Sequence, residues 1–411
     1  MRKITSVVAK RTCEYRRVSR ALVRSRPGPG IYCDIIFPFA TTQISRTMSA
    51  NSEGCVCDYC SFITGVLIPE MVYDRYFCET GSREFVELDS VDAKHFERNN
   101  SRVNVVHRVT AHVKFSGVTN TFHLIVKQPR QLDDSLLPFS QSFLNEEIFY
   151  SKMTHDYGTD NIPKCYLSDL GRYGRPVIVL EDLAARGYMQ AVDDKLDEDH
   201  LKLCIKVLAT FHGKGLKLRE YNFPIFREFY AKLYEPTDWL HFRTSPNADK
   251  VRIFESTLKN SALKDEANIS EIIRKMEDVT TKLELNDFWT ICHGNFTRSN
   301  LLFRYENGRP CDVKVIDWST MRYCSPSIDF GHIFLQNLPG NENLSEIKQF
   351  SENMLRIYLE AIKDKYQEVN YKSLEREIIS KLPFAYGMIE NHMLGETKRM
   401  LHALDLLGSF D

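Results

Sequence analysis

The sequence lacks any run of roughly 20 uninterrupted apolar residues, so no part of it reads as a membrane-spanning helix. Ile31–Ala40 is apolar but short, and Pro38 interrupts it. A compact apolar core followed by a small-residue cleavage site is missing from the start, so no secretory signal is indicated. Net charge is nearly absent: 54 Lys and Arg face 55 Asp and Glu, for a balance of −1. That leaves no bulk electrostatic case for a nucleic-acid or anionic-membrane partner. The eleven cysteines form no paired framework, as expected of reduced thiols in a reducing compartment. There is no internal repeat and no low-complexity tract.

What is present is a soluble globular composition, 43% hydrophobic and 27% charged, over 411 residues. That length exceeds one ordinary core and implies two lobes. The first 50 residues differ from the rest: ten Lys and Arg stand against only Glu14 and Asp34. This reads as a basic, disordered N-terminal extension over residues 1–64, with translation from Met48 another reading. The expected location is cytoplasmic. A transit peptide over residues 1–47 would make it mitochondrial. Cys55, Cys57 and Cys60 form C-x-C-x-x-C, with Cys78 further on, but no second pair accompanies them. Zinc takes four ligands, usually as two separated pairs, so these read as free thiols.

The globular pattern begins at Val66. Val103–Val113 is β-branched and Thr121–Lys127 alternates, with a turn over Ser116–Asn120 between them, so the two form an antiparallel hairpin. Phe139–Met153 has helical spacing, Pro176–Leu180 is a short buried strand, and Asp197–Lys214 is an amphipathic helix. Further helical patterns run to Leu285. Asn300–Phe303 and Val313–Ile316 are short strands around a turn at Glu306–Pro310, and Asn343–Phe410 is nearly all helical. Strands thus dominate roughly residues 85–185, and helices the remainder. The expected class is α+β: a small antiparallel sheet lobe (65–185) and a larger helical lobe (186–411).

Phosphoryl transfer from ATP needs a cation on the phosphates, a metal held by oxygens, and a group that orients the acceptor hydroxyl. The sequence supplies candidates in order. Lys127 ends a strand, and Glu146 or Glu147 on the next helix can hold it. His293-Gly294-Asn295 is followed by Asn300, a hairpin, and Ile316-Asp317. Such a hairpin brings Asn300 and Asp317 to neighbouring ends, where both oxygens reach one ion. Taken singly, Lys127 reads as a solvated strand-end lysine. His293 reads as a brace for its loop, His212 as a helix cap, and the aromatics Trp239 and Phe242 as core. Asp317 stands out, because a carboxylate ending the apolar strand Val313–Ile316 is costly unless something pairs with it.

The order H-G-x5-N then I-D resembles the choline-kinase and aminoglycoside-phosphotransferase superfamily. More narrowly, the chain is similar to ecdysteroid-kinase-like proteins. Cys292-His293-Gly294, Asn300 to Tyr305, Gly308 to Val313, Arg322 to Asp329, Val179 to Leu183, Phe143 to Glu146 with Phe149-Tyr150, and Leu208 to His212 carry that likeness. It covers about Val66 to the C-terminus. The resemblance implies a protein-kinase-like two-lobed fold and an ATP- and Mg2+-dependent phosphotransferase. The implied acceptor is a hydroxyl of a small molecule, such as an ecdysteroid, and a monomer is expected. Lys127 would contact the phosphates with Glu146 as its partner and Glu147 as the fallback. Leu180, Glu181 and Leu183 would form the hinge that meets adenine, and Asn300 and Asp317 would bind magnesium. Asn295, with His293 beside it, would occupy the catalytic position, and Asp329 would be structural. Two departures stand out. The family has Asp where this chain has Asn295, which implies a catalytically impaired relative as the alternative. The stretch Phe96–Arg102, where the family often has a glycine-containing phosphate loop, has no glycine.

Overall fold

The hairpin that opens the sheet follows from its turn. The computed structural model describes residues 57–96, 104–130, 141–234, 286–340, 343–389 and 394–409, all within one compact unit. Strands β2 (Asn104–Phe115) and β3 (Val118–Pro129) pair antiparallel from Phe115↔Val118 to Asn104↔Pro129. Ser116 (φ 48°) and Gly117 (φ 93°) are both left-handed, and a two-residue turn of this hand matches strand twist. The turn is therefore shorter than the five residues expected, and Val118 already belongs to the ladder. Strand β1 (Val86–His95) lies outside β2, and its mostly polar, exposed residues and register shift suit an edge. With β4 (Cys165–Asp169) and β5 (Val177–Glu181) the order is β1-β2-β3-β5-β4.

Alternation along β3 and β5 divides the apolar residues between two cores. Leu124, Val126, Val177 and Val179 face one core, with Ile63, Leu67, Ile68 and Met71. The latter come from helix α1 (Asp58–Phe62), a π turn (Ile63–Leu67) and α2 (Ile68–Tyr73). Cys60, Phe62 and Ile63 are buried, so the fold begins before the residue-65 boundary expected from the sequence. Ile125, Ile178 and Leu180 lie on the opposite face and pack into the larger core. By the same alternation Lys127 falls on that second face.

The larger core is helical. α3 (Gln141–Ile148), a π turn (Phe149–Met153) and α4 (Thr154–Tyr157) follow the sheet strands. α5 (Glu198–Tyr221) is capped by the Asp197 side chain on the His200 N–H at 2.9 Å and runs a further two turns beyond the expected Lys214. α6 is Phe223–Tyr230. Leu201, Cys204, Ile205, Leu208 and Phe211 of α5 are buried against Tyr358, Leu359 and Ile362 of α8 (Leu344–Lys365). α7 (Ser327–Gln336) crosses α9 (Tyr371–Met388) where a Cβ at Gly331 would stand 2.3 Å from that of Ala385. α10 (Leu394–Leu406) completes the helices among the described residues. The chain is thus α+β, an N-terminal antiparallel sheet followed by a helical region. No described helix is long and apolar enough to cross a membrane. The helical patterns up to Leu285, with Trp239 and Phe242, lie outside the described residues, as do Cys55 and 97–103 of the expected phosphate loop.

Candidate active site

Between sheet and helices the chain brings opposite charges together in a dry place. Lys127 Nζ on β3 donates to Glu146 Oε1 on α3 at 2.6 Å, and both side chains are buried. Glu147, one position on, is turned to Ser151 and Lys152 instead. The partner is Glu146, the choice between Glu146 and Glu147 that residue spacing left open. Burial pushes the Glu146 carboxyl above its ordinary pKa. Lys127 opposes that shift, and the nearby Asp317 adds to it. Its second oxygen, Oε2, has no well-aligned hydrogen bond among the described residues, although the Trp318 N–H draws the pKa down. The preceding residue clamps α3 onto the segment after Asp317: Asn145 Nδ2 donates to the carbonyls of Ser319 (3.1 Å) and Met321 (3.2 Å).

The His293 loop leaves β6 (Thr290–Cys292), which pairs with β9 (Arg322–Cys324). Asp329, near the start of α7, receives the peptide N–H of His293 at 2.6 Å and of Gly294 at 2.8 Å. His212 Nε2 lies 3.2 Å from the same carboxylate, and His212 Nδ1 lies 2.7 Å from the Tyr358 hydroxyl. Burial pushes the Asp329 pKa up. The bond and charge of His212, the nearby His293 and the Gly294 N–H outweigh it and leave the carboxyl below its ordinary value. His212 therefore sits mid-helix in a buried network and caps nothing. Gly294 (φ +83°) is required on two counts. A left-handed backbone favours glycine, and a Cβ would lie 2.0 Å from the Thr320 carbonyl oxygen. Arg322 Nη2 donates to the Gly294 carbonyl at 2.9 Å.

His293 uses both ring nitrogens inside this loop. Nε2 meets the Ile316 carbonyl at 3.2 Å, and Nδ1 accepts the Asn295 N–H at 3.3 Å. Burial lowers its pKa, which favours the neutral ring that such a pattern requires. It braces the loop. The Asn295 carbonyl accepts from Thr297 N–H and Asn300 Nδ2, both at 3.0 Å, which fixes its backbone.

Asn300 closes a 3-10 turn (Arg298–Asn300) and leads into β7 (Leu301–Glu306), which pairs with β8 (Arg309–Val315). The register Leu301↔Val315 and the Ile316 N–H to Asn300 carbonyl bond (3.0 Å) put Asn300 and Asp317 at adjacent strand ends. Because Asn300 Nδ2 is held by Asn295, its oxygen Oδ1 is left for another partner. Asp317 is left-handed (φ 68°, ψ 70°), and Ser319 Oγ donates to its Oδ1 at 2.7 Å. Trp318 beside it stacks on Phe149 with centroids 3.8 Å apart at 11°. Such a stack adds about 0.5–1.5 kcal/mol beyond area burial, so a strained aspartate is fixed between two packed neighbours. Two hard oxygens at one edge suit magnesium, which takes only one or two protein ligands.

At the end of β5, Glu181 accepts from the Lys164 N–H at 2.8 Å and from Arg186 at 3.0 Å, so its side chain is engaged. Leu183 begins a 3-10 turn (Leu183–Arg186), and a first-turn N–H has no intrahelical partner. Leu180 is buried in the larger core. A cavity of about 230 Å³ lies behind the loop, lined by His293, Phe296, Trp318, Phe211, Lys214 and Lys365 among others. None of Lys127, Asn295, Asn300 or Asp317 lines it, so it is separate from the charged face.

The Ecdysteroid kinase-like family matches residues 102–371, about two thirds of the chain. The chain belongs to that family. Among solved structures, it is similar to a Plasmodium vivax ethanolamine kinase at 14% identity, over 78% of this chain and 83% of the other, with TM-score 0.40. It is similar to an aminoglycoside phosphotransferase from Alicyclobacillus acidocaldarius at 12% identity, over 77% and 90%, with TM-score 0.41. A choline kinase from Streptococcus pneumoniae gives 17% identity, over 79% and 94%, with TM-score 0.33. None of the curated proteins matches. The matched segment contains the Lys127–Glu146 pair, the His293 loop and the Asn300–Asp317 hairpin end. Residue spacing alone missed Asn145 and Arg322. Asn145 carried a signal all the same: it is an amide beside Glu146 on an otherwise buried stretch of helix.

Proposed function

We propose that this member of the ecdysteroid kinase-like family binds ATP with magnesium and transfers a phosphoryl group to a hydroxyl of a small molecule. Hydroxylated apolar compounds of the ecdysteroid class are the acceptors to test first. In this reading residues 65–185 form the nucleotide-binding lobe, and residues 186–411 carry the catalytic loop, metal site and substrate pocket. The observation that carries it is the buried Lys127–Glu146 pair beside Asp317, across from Asn300 at the hairpin end. Lys127 would hold phosphate oxygens, kept in place by Glu146. Asn300 Oδ1 and the Asp317 carboxylate would hold the ion, and the Leu180–Leu183 backbone would meet the base. An ion held by these two residues would supply positive charge to offset that of the phosphates. Asn295 would orient the acceptor hydroxyl as a hydrogen-bond acceptor, since an amide takes no proton at neutral pH. The cysteine usage supports a cytoplasmic setting.

One observation favours a second reading, binding without efficient turnover. The next acidic residue after Asn295 is Glu306, at the far end of β7. Six strand steps of about 3.3 Å place it roughly 20 Å from Asn300, out of reach of the catalytic position. Loss of a general base costs on the order of 10²–10⁴ in rate. Phosphate transfer from magnesium ATP to an ecdysteroid panel separates the two readings. Wild-type activity that collapses in Asp317→Ala supports the enzyme. Activity seen only in Asn295→Asp, higher by that same factor, supports the impaired relative. Absence of any thermal shift with magnesium ATP would remove both.

A further inference from the structure

The C-x-x-C pair that had no second pair in the sequence acquires a partner in the fold. Cys57 precedes α1, and the Cys60 N–H donates to Cys57 Sγ at 3.3 Å. This places the two sulfurs on one side of the first helical turn. Neither cysteine is in a disulfide. From β2, fifty residues along the chain, His107 Nε2 lies 4.0 Å from Cys57 Sγ. The ligand atoms of Cys57, Cys60 and His107 all lie within 4.8 Å of one another. In a tetrahedral zinc site with Zn–S about 2.3 Å and Zn–N about 2.0 Å, ligand atoms stand roughly 3.5–3.8 Å apart. The cluster needs a contraction of at most about 1.3 Å to reach that spacing.

His107 adds an independent sign. It is fully buried, yet its Nδ1 has no hydrogen-bond partner among the described residues. Its Nε2 faces only the Cys57 sulfur, a weak hydrogen-bond partner, so this nitrogen can turn its lone pair to an ion. His95 stands directly opposite His107 across β1 and β2, with ring centroids 5.4 Å apart.

We propose that Cys57 Sγ, Cys60 Sγ and His107 Nε2 form a structural zinc site that ties the helix start to strand β2. Two thiolates with imidazole are a donor set that selects zinc over magnesium or calcium. On binding, the two cysteine thiols release their protons to solvent, and no electron transfer is involved. The site is separate from the kinase-like centre and needs no nucleotide.

Cobalt(II) added to the reduced, chelator-treated full chain reads the site by its thiolate charge-transfer band. One ion per chain is expected, displaced by zinc. Cys60→Ser and His107→Ala should each weaken binding by at least tenfold, while Asp317→Ala should leave it unchanged. Alkylation followed by peptide mass analysis of the wild type reads the same site without a variant that must fold. Zinc should protect Cys57 and Cys60 severalfold. The proposal falls if no stoichiometric band forms, if zinc leaves both thiols equally reactive, or if His107→Ala binds as tightly as wild type. That last result would assign the ion to thiols alone.

Discussion

Two buried carboxylates serve the centre in opposite ways. Beneath the loop, Asp329 receives two peptide N–H groups and His212, and its pKa is held below the ordinary value. On the other side, Glu146 has Lys127 on one oxygen and only a poorly aligned Trp318 N–H near its carboxyl among the described residues, and burial raises its pKa. A buried polar network in which every member is satisfied rigidifies its surroundings. A half-satisfied one is costly to hold. The difference separates scaffold from candidate site: Asp329 fixes the backbone at His293–Gly294, while Glu146 and Asp317 place carboxylates where the proposed reading puts a cation and phosphates.

The sharpest way to break this comparison is to delete each carboxylate in turn. Asp329→Ala strands two peptide donors and His212, and should cost about 3–5 kcal/mol, read from urea unfolding. Glu146→Gln keeps an acceptor for Lys127 but takes the counter-charge from its buried ammonium, so it should cost about 1–3 kcal/mol, less than Asp329→Ala. Equal losses would erase the distinction.

The pH dependence of stability should differ in sign. Asp329, with its folded pKa lowered, contributes stability that is present above its ordinary value of 3.8 and lost as pH falls through the folded pKa. Glu146, with its folded pKa raised, contributes stability that is present below its ordinary value of 4.5 and lost as pH rises to the folded pKa. Unfolding followed from acid to neutral pH should therefore show a flatter acid limb in Asp329→Asn. In Glu146→Gln the flattening should lie above pH 4.5. The smallest effect is at Asp317. Replacing this left-handed residue by glycine relieves backbone strain of about 1 kcal/mol, offset in part by the lost Ser319 hydrogen bond. Asp317→Gly should hold its melting temperature within a few degrees of wild type while losing the magnesium-dependent part of any ATP shift.

The pairings within the candidate site were legible because its parts are close in sequence. Lys127 and Glu146 are a strand end and the next helix, and Asn300 and Asp317 are the two ends of one hairpin. His293 as a brace and Asp329 as structural were anticipated, but the scaffold's contacts were not, because they join distant segments. Asp329 meets His212 and His293, and His212 meets Tyr358, across spans that no period connects. The early start of the fold was hidden for another reason. A π turn over Ile63–Leu67 shifts the phase of the buried residues Ile63, Leu67, Ile68, Met71 and Val72, so one 3.6-residue period does not fit them. The same segment carries Cys57 and Cys60, whose partner His107 only the sheet supplies.

The most direct test of the centre is a calorimetric titration of ATP into the wild type and Asp317→Ala, each with and without magnesium. The account predicts saturable binding by the wild type that tightens at least tenfold with magnesium, and no magnesium effect in Asp317→Ala. Wild-type binding that is indifferent to magnesium, or an equal magnesium effect in both proteins, would contradict it.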